Sequence, residues 1–240
     1  MDKRKLTTLS AKWPVNAAAL KYIAVITMLI DHIGYGLYIL PAVKSSYTIL
    51  RAIGRSALPI FCFFLVEGFI HTSSRWKYFR NMLLFALISQ VPYHYAFYRT
   101  KPWNYEFNIY CTLAFGLTAV WLIGLIMEKR KSIDGWVLSA IVVAGISAIA
   151  QFANIGYGWA GIILIAAFYM FRKYPFWAMA AGYILLIIYD RSEVYALPAF
   201  LLLFLYNGQR GKQNKWFFYV FYPAHLAVIA IVKAILWAGV

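Results

Sequence analysis

Charge is scarce in this chain. Only 13% of its 240 residues are Asp, Glu, Lys or Arg, and just 8 are acidic. A soluble domain carries about 25% charged residues, so a water-soluble globule is excluded. Cysteine is nearly absent too. Cys62 and Cys111 fall in or beside apolar runs and read as small buried hydrophobes, not as a disulfide or metal pair. There is no Gly-rich phosphate loop, no metal-spaced Cys/His cluster and no Gly-x-Ser-x-Gly elbow. ATP-driven work and serine-type hydrolysis have no support, and no metal is expected. No linker is long enough to separate domains and no internal repeat is visible, so residues 1–240 are expected to form a single domain. The start MDKRKLTTLSAKWP is basic and polar, and no cleavable signal peptide is expected.

What is abundant is apolar. Hydrophobic residues make up 63% of the chain and aromatics 19%, with 9 Trp and 19 Tyr to sit at two water–lipid interfaces. The expected fold class is all-α: a polytopic integral membrane bundle of about nine helices (8–10). The apolar runs lie at about 17–40, 51–71, 82–98, 108–127, 135–153, 155–171, 175–190, 194–206 and 216–238. The eighth is short and carries Pro198, which predicts a tilted, broken or re-entrant segment.

The net charge of +15 could point to nucleic acid, but its distribution argues for a membrane instead. With the N-terminus placed in the cytoplasm, the inner segments hold fifteen basic residues: Lys3, Arg4, Lys5, Lys12, Arg75, Lys77, Arg80, Lys129, Arg130, Lys131, Arg172, Lys173, Arg210, Lys212 and Lys215. The outer segments hold six: Lys44, Arg51, Arg55, Arg99, Lys101 and Arg191. That asymmetry predicts a multi-pass protein of the bacterial inner membrane, N-terminus inside and C-terminus outside. Membrane lipid is the expected surrounding and nucleic acid is not an expected partner.

Polar residues inside apolar spans cost several kcal/mol, which makes each a candidate for function. The first span carries Lys21, Asp31 and His32. At about 1.5 Å rise per residue, His32 lies roughly 16 Å along the axis from Lys21. The imidazole suits a general base, with the carboxylate fixing its tautomer or charge; a polar clasp between helices is the simpler alternative. On the second run, Arg51 and Arg55 are four apart and share a face, as do Glu67 and His71. Paired arginines can grip phosphate or carboxylate, or merely anchor the outer interface. Glu67 needs a basic partner, with Lys21 or His71 as candidates. Pro59 predicts a bend, and Gly54 and Gly68 permit close helix approach. Further along, Gln90 is placed to hydrogen-bond between helices. Tyr222 and His225 flank Pro223 and suggest either a lined cavity or a structural imidazole. Lys233 is expected to snorkel to the outer interface.

Taken in order, LKYIAVITMLIDHIG, LRAIGRSALPIFCFFLVEGFIHT, YFRNMLLFALISQVPY, NGQRG and FFYVFYPAHL resemble the TraX family over residues 20–226. That family is named for an acetylase of the N-terminal amine of a conjugative pilin. It is similar in outline to larger transmembrane acyltransferase families, among them acyltransferase family 3, which shows a basic residue, ten residues and a histidine on its first helix. Lys21 and His32 reproduce that spacing. The arginine pair of those families maps to Arg51 and Arg55, with three intervening residues here in place of two. The resemblance implies transfer of an acetyl group from cytosolic acetyl-CoA to an amine or hydroxyl on a pilin-like peptide, a glycan or a small molecule. His32 would act as base or acyl carrier, Asp31 would orient or charge-balance it, and Lys21 with the inner basic loops would hold phosphates. Arg51, Arg55, Glu67, His71, Gln90, Tyr222 and His225 would bind acyl-CoA or the acceptor. The competing expectations are a proton-coupled transporter or flippase, with Asp31, His32, Glu67 and His225 as its relay, and a non-catalytic assembly partner.

Overall fold

The computed structural model describes residues 14–103 and 105–238. Its helices are α1 (Ala17–Gly36), α2 (Pro41–Ser45), α3 (Tyr47–Gly54), α4 (Ala57–His71), α5 (Arg75–Phe97), α6 (Ile109–Lys129), α7 (Ile133–Phe152), α8 (Gly158–Met170), α9 (Pro175–Tyr189), α10 (Leu197–Phe204) and α11 (Lys215–Ala238). A 3-10 turn, Arg191–Ala196, precedes α10. Among the described residues the only β pairing is two isolated bridges, Val15–Tyr206 and Phe107–Ile155.

Helix ends follow local chemistry. Asn16 caps α1 by accepting from the Ala19 amide at 3.0 Å. The amides of Ala17 and Ala18, which have no partner within the helix, donate to the carbonyls of Gln209 and Arg210. The loop before α11 is thereby clasped to the start of α1. The second apolar run breaks at Arg55-Ser56, four residues before Pro59. A proline ring clashes with the carbonyl at i−4 and cannot bond to it. The expected bend therefore falls at Arg55, upstream of the proline that causes it.

Contacts fix the directions. Tyr22 meets Phe217 and Phe218, and His32 meets His225, so α1 and α11 run parallel. Arg75 lies 3.9 Å from Glu128 near the end of α6, and Phe69 meets Tyr169 near the end of α8. The basic residues of the 72–80, 129–131, 172–173 and 210–215 segments thus share one end of the bundle with Lys21. Arg51, Arg55, Glu106, Tyr157 and Asp190 gather at the other. The cluster Lys3, Arg4, Lys5 and Lys12 lies outside the described residues.

The buried core joins Leu20, Ile60, Leu117, Ile165, Leu186 and Leu226, all from different helices. Small residues set the spacing: a Cβ on Gly54 would collide with Asp31, and one on Gly161 with Thr112. The outer faces are apolar, with Leu87 74% and Phe152 88% exposed, as lipid contact requires. Among the described residues five helices are long and apolar enough to cross a membrane: α1, the run Tyr47–His71, α6, α7 and α11. Helices α8 and α9 are apolar but shorter. Helix α5 has 23 residues but opens with Arg75, Lys77 and Arg80. The expected eighth span is a 3-10 turn and an eight-residue helix, about 12 Å for α10 at helical rise. The expected count of about nine crossings is therefore not confirmed by length and composition.

Candidate functional site

A cavity of about 900 Å³ runs between α1, α3, α4, α5, α6 and α11. Its lining starts among Lys21, Lys77, Arg210 and Lys215 and ends among Arg51, Arg55, Glu106 and Asp190. Along α1 it extends from Ala17 to Tyr35, about 27 Å at 1.5 Å per residue. His32 faces it beyond the midpoint, towards the far end.

His32 is paired with His225. Their rings stack with centroids 5.0 Å apart at 11°, and His32 Nδ1 lies 2.7 Å from His225 Nε2. The other nitrogen of His225, Nδ1, lies 2.7 Å from the carbonyl oxygen of Phe221. A carbonyl can only accept, so His225 Nδ1 carries hydrogen and its Nε2 is left as an acceptor. His32 Nδ1 must then donate to it. The remaining nitrogen, Nε2, carries the lone pair of His32, a residue of the cavity wall. Phe97 and Tyr222 box the ring edge-on at 5.2 and 5.9 Å. The proline beside this pair has a local role. Pro223 cannot donate to the Tyr219 carbonyl one turn back, and the Tyr110 hydroxyl does so instead at 3.2 Å. A buried backbone acceptor is satisfied, and α11 stays helical past His225.

The two arginines do not act as a pair. Arg51 Nη1 meets Asp31 at 2.5 Å and lies over the Tyr35 ring. Arg55 Nη1 donates to Glu193 at 2.9 Å and to the Tyr157 hydroxyl at 3.3 Å. Gly54 makes the first pairing possible by letting α1 bring Asp31 against α3. The second brings together residues from three segments. Asp31 therefore reaches Arg51, while the partner of His32 is His225. Glu193 is fully buried, and among the described residues its Oε2 and Arg55 Nε have no hydrogen-bond partner. Nearby at the mouth, the Ser192 backbone amide donates to Asp190 and holds that exposed carboxyl below the usual range.

At the basic end, Lys21 Nζ donates to Gln213 at 2.9 Å and sits against the Phe64 and Phe218 rings. Glu67 comes within 3.9 Å of His71, one turn along the same helix, and both line the cavity. Gln90 turns away from the cavity. It donates to the Glu106 carbonyl and accepts from Asn108, bracing the turn into α6. Lys233 donates to the Ala96 carbonyl at the end of α5.

Three side chains at the far end were not picked out from sequence: Glu193, Tyr157 and Glu106. Glu106 accepts from the hydroxyls of Tyr93 and Tyr98, each at 2.7 Å. For Glu193, at the edge of an apolar run, the available signal was the scarcity of acids, 8 in a chain of net charge +15.

The TraX protein family model matches residues 16–233. The probable fimbrial assembly protein FimC, serogroup H1, of Dichelobacter nodosus is 31% identical over 245 residues, covering 92% of this chain and 97% of that protein. An uncharacterized protein of Rickettsia prowazekii is 34% identical over 113 residues, covering 40% of this chain and 42% of its own length. No solved structure matches the chain.

Proposed function

The chain belongs to the TraX family, and from that premise we propose that it is a membrane-bound acyltransferase. It moves an acetyl group from acetyl-CoA, entering at the basic end, to an amine or hydroxyl of a pilin-like peptide or envelope acceptor at the far end. The observation that carries this reading is the hydrogen-bond chain Phe221 C=O, His225, His32. It leaves a lone pair on Nε2 of His32, a residue lining a cavity that also opens among the cations Lys21, Lys77, Arg210 and Lys215.

In this reading the basic end faces the cytoplasm, as the positive-inside rule favours. Lys21, Arg210 and Lys215 hold the phosphates, and the thioester reaches inward about 16 Å to His32. The acceptor nitrogen or oxygen attacks the thioester carbon, and His32 Nε2 takes its proton. The tetrahedral oxyanion is stabilised by Arg51, which Asp31 holds in place. Collapse breaks the C–S bond, and the thiolate of CoA takes the proton back from His32. His225 fixes the His32 tautomer throughout. The fimbrial assembly relative is consistent with a pilin-type acceptor.

The test is purified protein with acetyl-CoA labelled in the acetyl group, scored for thioester loss and label transfer. His32→Ala is expected to abolish both, by about 10²- to 10⁴-fold, with thermal unfolding unchanged. One observation favours a second reading, a proton-coupled transporter: the same cavity is lined from one end of the bundle to the other. Proton-driven uptake into liposomes without thioester cleavage supports that reading and ends the first.

A further inference from the structure

Two carboxylates on the cavity wall, Glu106 and Asp190, have no basic group within 4.0 Å among the described residues. Asp31 is paired with Arg51, Glu67 approaches His71, and Asp190 sits at the mouth, bonded to the Ser192 amide. Glu106 instead has a tyrosine hydroxyl on each oxygen, Tyr93 on Oε1 and Tyr98 on Oε2, both at 2.7 Å. A carboxylate oxygen has two acceptor positions, so each keeps one free. The turn that carries Glu106 is fixed. Gln90 donates to its carbonyl, Asn108 caps α6, and the neighbouring Phe107 bonds to Asn154 and Gly156. A rigid, doubly clamped carboxylate without a counter-charge is complementary to a cation. A second feature points the same way. The wall between it and His32 is aromatic: Tyr93 contacts Phe97 at 5.2 Å, and Phe97 contacts His32 at 5.2 Å. Aromatic faces attract ammonium groups.

We propose that Glu106, clamped by Tyr93 and Tyr98, binds a primary ammonium group on the acceptor and takes the first of its protons. The inference rests on the acyl-transfer reading and specifies its acceptor side. An ammonium has no lone pair and cannot attack a thioester. Two protons must leave the nitrogen, and His32 removes one of them. The other passes first: R–NH3+ and the Glu106 carboxylate become R–NH2 and the carboxylic acid. The amine then forms its C–N bond to the thioester carbon and the C–S bond breaks. The second proton travels through His32 to the thiolate. Glu106 returns to the carboxylate by losing its proton to water at the far mouth.

The experiment compares two nucleophiles at pH 7 with acetyl-CoA: n-butylamine, which is charged in solution, and hydroxylamine, which is neutral. Glu106→Gln is expected to lower kcat/KM for n-butylamine by about 10- to 100-fold, the worth of one hydrogen bond to a charged group. Its kcat/KM for hydroxylamine, corrected for the uncatalysed reaction, changes less than about twofold. Tyr98→Phe keeps the carboxylate and loosens it, so it gives a smaller loss of the same selectivity; it also serves if Glu106→Gln fails to fold. Equal losses for both nucleophiles, or none for either, overturn the proposal. If wild-type protein transfers acetyl to neither nucleophile, the acyl-transfer reading falls by itself. The cation site is then read from the rise in Tm with n-butylammonium chloride over sodium chloride: loss of that rise in Glu106→Gln upholds the site, and equal rises overturn it.

Discussion

The two ends of the cavity hold charge in opposite ways. At the basic end the charges are long side chains on loops and helix starts, such as the exposed Arg210 and Lys215. At the far end two ion pairs are withdrawn from solvent, Asp31 with Arg51 in part and Glu193 with Arg55 more fully, while Glu106 is held by tyrosine hydroxyls. The first arrangement attracts an anion and tolerates the loss of any member. The second is a fixed geometry in which removing one partner strands the other. In the proposed reading, capture belongs to one end and positioning to the other.

The largest effect is expected at the Arg55–Glu193 pair. Glu193 is 0% exposed, so Arg55→Leu leaves a buried carboxylate without its counter-charge. Breaking a buried pair in this way costs about 3–5 kcal/mol. Unfolding of the detergent-solubilised protein measures it. The double variant Arg55→Leu/Glu193→Leu is expected to recover most of the loss, because no buried charge then remains. Equal instability in the single and double variants would show that packing, not charge, holds the 3-10 turn to α3.

Next is His225→Phe, which keeps an aromatic ring against His32 and removes the acceptor that fixes its tautomer. The expected loss is about 100-fold in kcat, near 2.7 kcal/mol, with little change in Tm. A drop in Tm matching that figure would make the imidazole pair a clasp between α1 and α11 and not a relay. Gly54→Ala follows. Its methyl group meets the Asp31 side chain, so α1 and α3 must separate or Asp31 must turn away from Arg51. Overpacking of this kind costs about 1–3 kcal/mol, and activity is expected to fall with it. Gly68→Ala is the control: its methyl meets the end of the Tyr78 ring, which can swing aside.

These residues also show what the sequence could reveal. The family resemblance, the helical bundle and a polar position on the cavity wall at His32 were legible because each is written locally, as an apolar length with a polar interruption inside it. Partners were not. His32 and His225 are 193 residues apart, and Arg55 and Glu193 are 138 apart. No periodicity couples such positions; only the packing of α11 on α1, and of the 3-10 turn on α3, brings them together. Asp31 beside His32 in sequence invited a carboxylate–imidazole pairing. Adjacent helical residues point about 100° apart, and Asp31 turned to α3 instead. Pro59 was read as the bend, whereas its ring acts one turn upstream, at Arg55. Glu106 gave no contrast at all, lying in a loop where a carboxylate is unremarkable until Tyr93 and Tyr98 are seen to close on it.

The smallest effect is expected at the basic end, and its smallness is what the contrast requires. Lys215→Ala removes one of several cations around the cavity mouth, along with a stacking contact to Trp216. An exposed charge of this kind is worth about 0–1 kcal/mol, so KM for acetyl-CoA should rise no more than about fivefold, with kcat and Tm unchanged. Salt should have the same effect on the wild type, because charges more than about 10 Å apart are screened at 0.1 M. Combining Lys215→Ala with Arg210→Ala and Lys77→Ala should multiply the losses and flatten the salt dependence. The far end should show neither behaviour: its pairs are withdrawn from solvent, so KM for a neutral acceptor should be insensitive to salt in every one of these variants. If a single rim substitution instead lowers kcat as steeply as His225→Phe does, the rim positions the reacting groups, and the division between capture and positioning is wrong.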